Sequence, residues 1–252
     1  MRDIRFDQSG DDMSVRMKCN QCPVRSTSIC SSIGVESARD LGRVVHRMRI
    51  PEGRVIYGGN QRAKTFGIII SGVVKLVIVK PDGRTQIVGL QFPSDFVGRP
   101  YSDTSGVFAE AATDLELCCF SGRVFEDLLR DHADLERVVL KRTLNDLDGA
   151  RDWMFLLGRK SAQEKVASLL HLIAERAAEP ACDCSEMPVS PSTFRLPLSR
   201  TEIAECLGLR VETVCRQLAQ LKSRGIIATN RRRTFTVNEM AELKRFAEMP
   251  VE

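Results

Sequence analysis

A chain of 252 residues that is 43% hydrophobic and 28% charged has room for two domains with their own cores and the composition of a soluble globular protein. No apolar run is long enough to cross a bilayer, and the leader MRDIRFDQSGDD lacks the apolar core of a secretory signal, so a cytoplasmic location is expected. Net charge is only +4, and nine cysteines in a reducing compartment argue against a disulfide framework, leaving metal, redox or packing roles to be assigned one by one.

After the polar leader comes Cys19-Asn20-Gln21-Cys22, with Cys30 following. Two cysteines at this spacing offer thiolates to one metal ion or to two corners of a cluster, and Cys30 can fold back across a loop as a third ligand. Cys118 or Cys119, in the apolar stretch Leu115 to Phe120, can supply a fourth for an all-cysteine iron–sulfur centre. Zinc is the chief rival occupant. The bland alternative is three loose thiols on a flexible arm.

From Ile50 onward the pattern changes to short strands: Arg54 to Tyr57, Thr65 to Ile70, Gly72 to Val79 and Thr85 to Phe92, with Asp82-Gly83 as a hairpin turn. Strands of this length with frequent turns predict a β-barrel or jelly-roll-like sheet, and no helical period begins before Val124. Arg99 is the one candidate anion anchor between Phe96 and Phe108, and its simpler reading is a surface arginine. A long helix is predicted from about Leu135 to Leu157. Leu140, Leu144, Leu147 and Met154 keep a heptad seam, and Arg151 stands at the skipped position with Asp146, Asp148 and Asp152 nearby. Such a stripe can pack on its own barrel or pair two copies; pairing is favoured, because a reader of two DNA half-sites needs two recognition helices at fixed separation. Ser161 to Glu179 reads as a further helix, and Pro180 to Pro191 as an irregular loop whose Cys182 and Cys184 read as exposed thiols of no special role.

In the last third, Ser199 caps a short helix with Ile203, Ala204 and Leu207 on its apolar face, and Gly208 supplies the positive φ of a tight turn. A second helix starts near Val211 with Val214, Leu218 and Leu221 inward, leaving Glu212, Cys215 and Arg216 on another side. An acid and an arginine one turn apart suit base edges in a major groove, where Arg forks onto guanine and Glu accepts from the cytosine amino group. The bland reading is a solvated ion pair on an ordinary helix. Charge weighs against it: Arg195 to Arg233 holds nine basic residues and three acidic ones, a local net of +6. Ser199, Arg200, Arg210 and Thr213 are candidate phosphate contacts. So are Arg231, Arg232 and Arg233, at the basic tip of a hairpin between Ile226 and Val237 that reads as the wing of a winged helix.

Taken together, the chain resembles the CRP/FNR superfamily of bacterial transcription regulators, most closely its oxygen-responsive FNR, FnrN and FixK-like branch. The segment Gly208 to Arg216 is similar to the family's recognition motif E-x-x-S-R, with Cys215 where serine is usual. The arm cysteines match the longer-spaced form of that branch, and the surroundings of Leu117-Cys118 and Phe125 to Leu128 resemble those of the family's distant cysteine, which favours Cys118 over Cys119. The resemblance implies an α+β fold: a cysteine-rich arm over 1–34, an N-terminal β-roll of the cyclic-nucleotide-binding-domain type over 35–130, a dimerisation helix over 131–160 and a C-terminal winged helix-turn-helix over 161–252. It implies a [4Fe-4S] cluster on Cys19, Cys22, Cys30 and Cys118 that favours the dimer until oxygen destroys it, a palindrome like TTGAT-N4-ATCAA, and contact with RNA polymerase, usually activating. Anaerobic, microaerobic or nitrogen-fixation genes are the implied targets. The phosphate-binding cassette of cyclic-nucleotide-responsive members is missing between Phe96 and Thr113, so no cyclic nucleotide is expected.

Other function classes fare worse. No Ser-His-Asp grouping, HExxH or phosphate-cradling loop occurs, and His46, His132 and His171 are scattered, so the chain is not expected to be an enzyme. A regulator gated by a small molecule in the barrel, or by oxidation of a Cys215 thiol near arginine at a helix N-terminus, is the alternative to cluster sensing.

Overall fold

A computed structural model of the chain describes residues 19–32, 45–59, 65–102, 105–178, 192–230 and 233–248. The readings for the leader, Cys182, Cys184, Arg231 and Arg232 lie outside the described residues. Two short 3-10 turns, Cys19–Gln21 and Ile29–Ser32, lie in the described part of the arm. The roll then uses β1 (His46–Ile50), β2 (Val55–Gly59), β3 (Thr65–Ser71), β4 (Val74–Val79), β5 (Thr85–Gln91), β6 (Phe96–Val97), β7 (Ser105–Ala111) and β8 (Leu115–Ser121). These form two antiparallel four-stranded sheets, ordered β1-β8-β3-β6 and β2-β7-β4-β5.

Local chemistry accounts for most of these strands. Val74, Lys75 and Val77 of β4 are buried, Val74 in the core of the roll and Val77 on the opposite face, and the β4–β5 hairpin closes on Gly83 at φ +86 with the Arg84 N–H donating to Asp82 Oδ1 at 3.1 Å. Gly72 turns at φ +90 and a side chain there would strike the Asp114 carbonyl, so β4 starts at Val74 and not at Gly72 as the pattern predicts. The predicted Arg54 and Phe92 likewise fall just outside β2 and β5.

Helices α1 (Gly122–Asp131), α2 (Ala133–Arg159) and α3 (Ala162–Ala178) follow, so the first helix begins two residues ahead of the predicted Val124. His132 breaks α1 from α2, and Lys160 in extended backbone breaks α2 from α3. A reciprocal cap starts α3: the Ser161 N–H donates to Glu164 Oε2 at 2.7 Å, and the Glu164 N–H to Ser161 Oγ at 3.3 Å. On α2, Leu140, Leu144, Leu147, Met154 and Phe155 are between 45% and 65% exposed, so the leucine stripe does not pack on its own roll. The final unit comprises β9 (Ser192–Arg195), α4 (Arg200–Leu207), α5 (Val211–Ser223), β10 (Ile227–Thr229), β11 (Thr234–Val237) and α6 (Met240–Ala247), with a three-stranded sheet ordered β10-β11-β9. Among the described residues no helix is long and apolar enough to cross a membrane.

One expectation about packing changes. The roll and the final unit do not keep separate cores: Val77, Ile87, Phe92 and Ala112 of the roll share one apolar cluster with Leu156, Ile173, Leu198, Ile203 and Leu218. Ion pairs reinforce that joint. Lys75, 9% exposed, places Nζ 2.8 Å from Glu110 of β7 and 2.5 Å from Glu202 of α4, while Glu52 pairs with Arg195 at 3.1 Å and Arg233 at 3.5 Å.

Candidate nucleic-acid interface and cysteine centre

The side that carries Glu212, Cys215 and Arg216 is built by local rules. Ser199 Oγ accepts from the Glu202 N–H at 3.2 Å and the Glu202 carboxylate accepts from the Ser199 N–H at 2.7 Å, a capping box that fixes where α4 begins. Gly208, at φ +62, ends α4 in left-handed backbone and turns the chain toward α5. Val214, Leu218 and Leu221 are buried, which rolls Glu212 and Arg216 outward, and both are exposed with no ion pair between them among the described residues. Cys215 lies half-buried between them. Its sulfur accepts a hydrogen bond from Arg200 Nη1 at 3.3 Å, so an arginine expected on phosphate reaches instead to the recognition helix.

The surrounding basic residues divide by partner. Arg224 stacks over the Phe246 ring at 4.8 Å, and Arg195 and Arg233 are held by Glu52. Arg210, Arg216 and Lys222 are exposed, and Thr213 is half-buried one residue after Glu212. An open groove of about 490 Å³ runs between β5 and the helix pair, lined by Thr85, Gln86, Thr201, Glu205, Arg210 and Glu212. Arg99 is exposed on the roll and is not among the residues that line this groove.

The arm is anchored. Val24 and Ile29, 2% and 3% exposed, pack into one cluster with Phe66, Phe120, Phe125 and Leu135, and the Ile29–Ser32 turn lies on α2. Cys19, Cys22 and Cys30 pack against this cluster, and Cys118 belongs to it. Neighbouring residues on a strand face opposite ways, and Cys119 points instead into the core of the roll beside Ile69 and Val97. Burial pushes the Cys30 thiol up to about 11, and it pushes Cys19, Cys22 and Cys118 up as well. The charges of Cys30, Cys22 and Cys19 add to the rise at Cys118, whereas at Cys119 burial alone acts, raising it to about 12. Three half-buried thiols of the arm and the buried thiol of Cys118 thus lie on one apolar cluster, near enough for their charges to act on one another. Among the described residues no group of three His, Cys, Asp or Glu side chains is placed to hold a metal ion.

Two segments of the chain match known domains: residues 47–132 match the cyclic nucleotide-binding domain, and residues 164–246 the Crp-like helix-turn-helix domain. The chain is 43% identical over 227 residues to a protein of Rhizobium leguminosarum bv. viciae named "Probable transcriptional activator", covering 90% of this chain and 92% of that one. It is 39% identical to the transcriptional activator protein FnrL of Cereibacter sphaeroides, covering 90% of both. The structure of FixK2 from Bradyrhizobium japonicum superposes with a TM-score of 0.72 at 28% identity, over 82% of this chain and all of that one. Relatives that span nearly the whole chain, and a fold that places an exposed Glu212-Cys215-Arg216 face on a capped helix pair, make this protein a member of the CRP/FNR family of transcription factors, in its FNR and FixK branch, and not an enzyme.

Proposed function

We propose that this chain is a cytoplasmic, oxygen-responsive transcriptional activator that binds a palindromic operator like TTGAT-N4-ATCAA as a homodimer when a [4Fe-4S] cluster occupies its cysteine centre. The observation that carries the sensing half is the convergence of Cys19, Cys22 and Cys30 with Cys118, while Cys119 turns away. An all-cysteine donor set drawn from two packed segments is the kind of ligand set that would hold such a group. When bound, the cluster supplies iron–sulfur bonds that oxygen breaks.

The chain's own residues do the rest. The four thiols release protons on loading, and because all four are pushed up by burial, loading is favoured at higher pH. Ile29 and its turn carry the state of the arm to the flank of α2, whose outer face presents Leu140, Leu144, Leu147 and Met154 to a second copy. Arg151, paired with Asp148 on its own helix at 2.7 Å, puts charge into that seam and keeps association marginal. Swinging such an equilibrium from mostly monomer to mostly dimer takes about 5.5 kcal/mol. In the dimer two α5 helices read two half-sites. Arg216 reads guanine and Glu212 its paired cytosine, with Ser199, Arg210 and Thr213 on phosphates, and the bound dimer contacts RNA polymerase.

The test is anaerobic purification with iron and sulfide analysis, then air exposure, with operator binding measured before and after. About four irons and four sulfides per chain, and operator binding lost as they are lost, is the expected result. A colourless protein that grips the operator equally in air and under argon sinks the sensing half and leaves DNA binding standing.

A further inference from the structure

Asp95 sits in the turn after β5, and its side chain, 14% exposed, joins segments that are far apart in sequence. Oδ1 accepts from Arg142 of α2 and, at 2.8 Å, from Arg176 of α3; Oδ2 accepts from the Phe92 N–H at 2.8 Å. Arg176 also lies over the Phe92 ring, 5.4 Å from its centroid. The turn is bound to β3 by the Ser94 N–H on the Ile69 carbonyl and the Ile69 N–H on the Asp95 carbonyl. Ser94 takes left-handed backbone, φ +76, and its hydroxyl lies 2.6 Å from that of Thr27, in the arm between Cys22 and Cys30.

One carboxylate thus stands within two residues of the sensing arm's contact and holds one guanidinium from the helix that pairs copies and another from the helix that leads to the DNA-reading unit. Remove its charge and two guanidinium groups from different helices lose the buried acid they share, which loosens the joint between α2 and α3. Asp146 of α2 lies close enough that the charges of Asp95, Arg142 and Arg176 all act on it, so it tempers the loss without supplying the Oδ1 that both arginines share. We propose that Asp95 is a positioning residue that transmits the state of the cysteine arm to α2 and α3 together, setting both the pairing of copies and the pose of the DNA-reading unit. The proposal rests on the arm being the sensor.

The experiment compares the full-length chain with Asp95→Asn and Arg142→Gln, all purified without oxygen. Asp95→Asn takes up iron and sulfide as the unaltered chain does, but the ratio of operator affinities with and without the cluster falls by roughly fivefold or more, the low end of ordinary coupling. Arg142→Gln shows a similar fall, and the double variant adds nothing further, as expected for partners in one network. An unchanged ratio in both single variants overturns the proposal. If the unaltered chain takes up no iron, the sensing reading has failed, and amide hydrogen exchange on the cluster-free chain decides the junction separately. Faster exchange in Asp95→Asn at 29–32 and around 142 and 176 together supports it; faster exchange confined to 92–96 overturns it.

Discussion

Arg216 and Glu212 stand in the open on α5 because Val214, Leu218 and Leu221 claim the opposite side of the helix. Substituting Arg216→Ala is expected to cost about 1–3 kcal/mol of discrimination between operator and scrambled DNA, read by mobility shift, while salt-sensitive general binding persists. Cys118→Ser should abolish iron uptake and Cys119→Ser should leave it intact, because only the former sulfur faces the arm. That pair also marks a limit of the sequence. Adjacent strand residues always face opposite ways, but which one meets the arm depends on β8 lying between β1 and β3, with Arg47 and Ile68 as the neighbours of Cys118. Only the likeness to relatives singled out Cys118 beforehand. The bond from Arg200 to Cys215 was not legible at all, since it links residues on two helices whose crossing no spacing rule fixes.

At the scale of elements, legibility follows how local the cause is. The capping box of Ser199 and Glu202, the turn at Gly208 and the buried stripe of α5 are set by residues within a turn or two of one another, and each lies where the pattern puts it. β1 and β7 escaped notice. HRMRI alternates around two arginines, and SGVFAEA is rich in small residues with weak strand preference, so both become strands through the neighbours they pair with. Ser199→Ala is expected to lower stability by about 1 kcal/mol, seen as a lower denaturation midpoint. On α2 the exposed seam implies that Arg151→Leu tightens self-association of the cluster-free chain about tenfold, or about 1.4 kcal/mol, in sedimentation equilibrium. No tightening would show that α2 meets something other than its own copy along this face.

For the molecule as a whole, the joint between roll and DNA-reading unit is held by a buried lysine. Burial pushes the Glu202 carboxyl up, but the bonds it accepts from Lys75 and from Ser199 outweigh this and leave it below its usual range. Burial pushes Lys75 down, but Glu110 and Glu202 outweigh this and leave it above its usual range. The Glu202 contribution is therefore complete above the ordinary glutamate pKa and lost as pH falls through its lowered folded value. The Lys75 contribution is complete below the ordinary lysine pKa and lost as pH rises through its raised one. Both are in force around neutrality. Glu202→Gln should flatten the acid limb of a melting-temperature profile and leave the neutral plateau lower. Lys75→Met strands two carboxylates, each about a quarter exposed, and is expected to cost less than the roughly 3–5 kcal/mol of a fully buried pair.

Glu52 gives this joint a second meaning. Glu52 grips Arg195 and Arg233, and on the proposed reading of the wing as a phosphate grip this makes the roll and the duplex rivals for the Arg233 guanidinium. Such rivalry is blind to base sequence. Neutralising that acid in Glu52→Gln should strengthen attachment to cognate and random duplexes by the same factor, leaving selectivity where it was while removing a brake on indiscriminate adhesion to the chromosome.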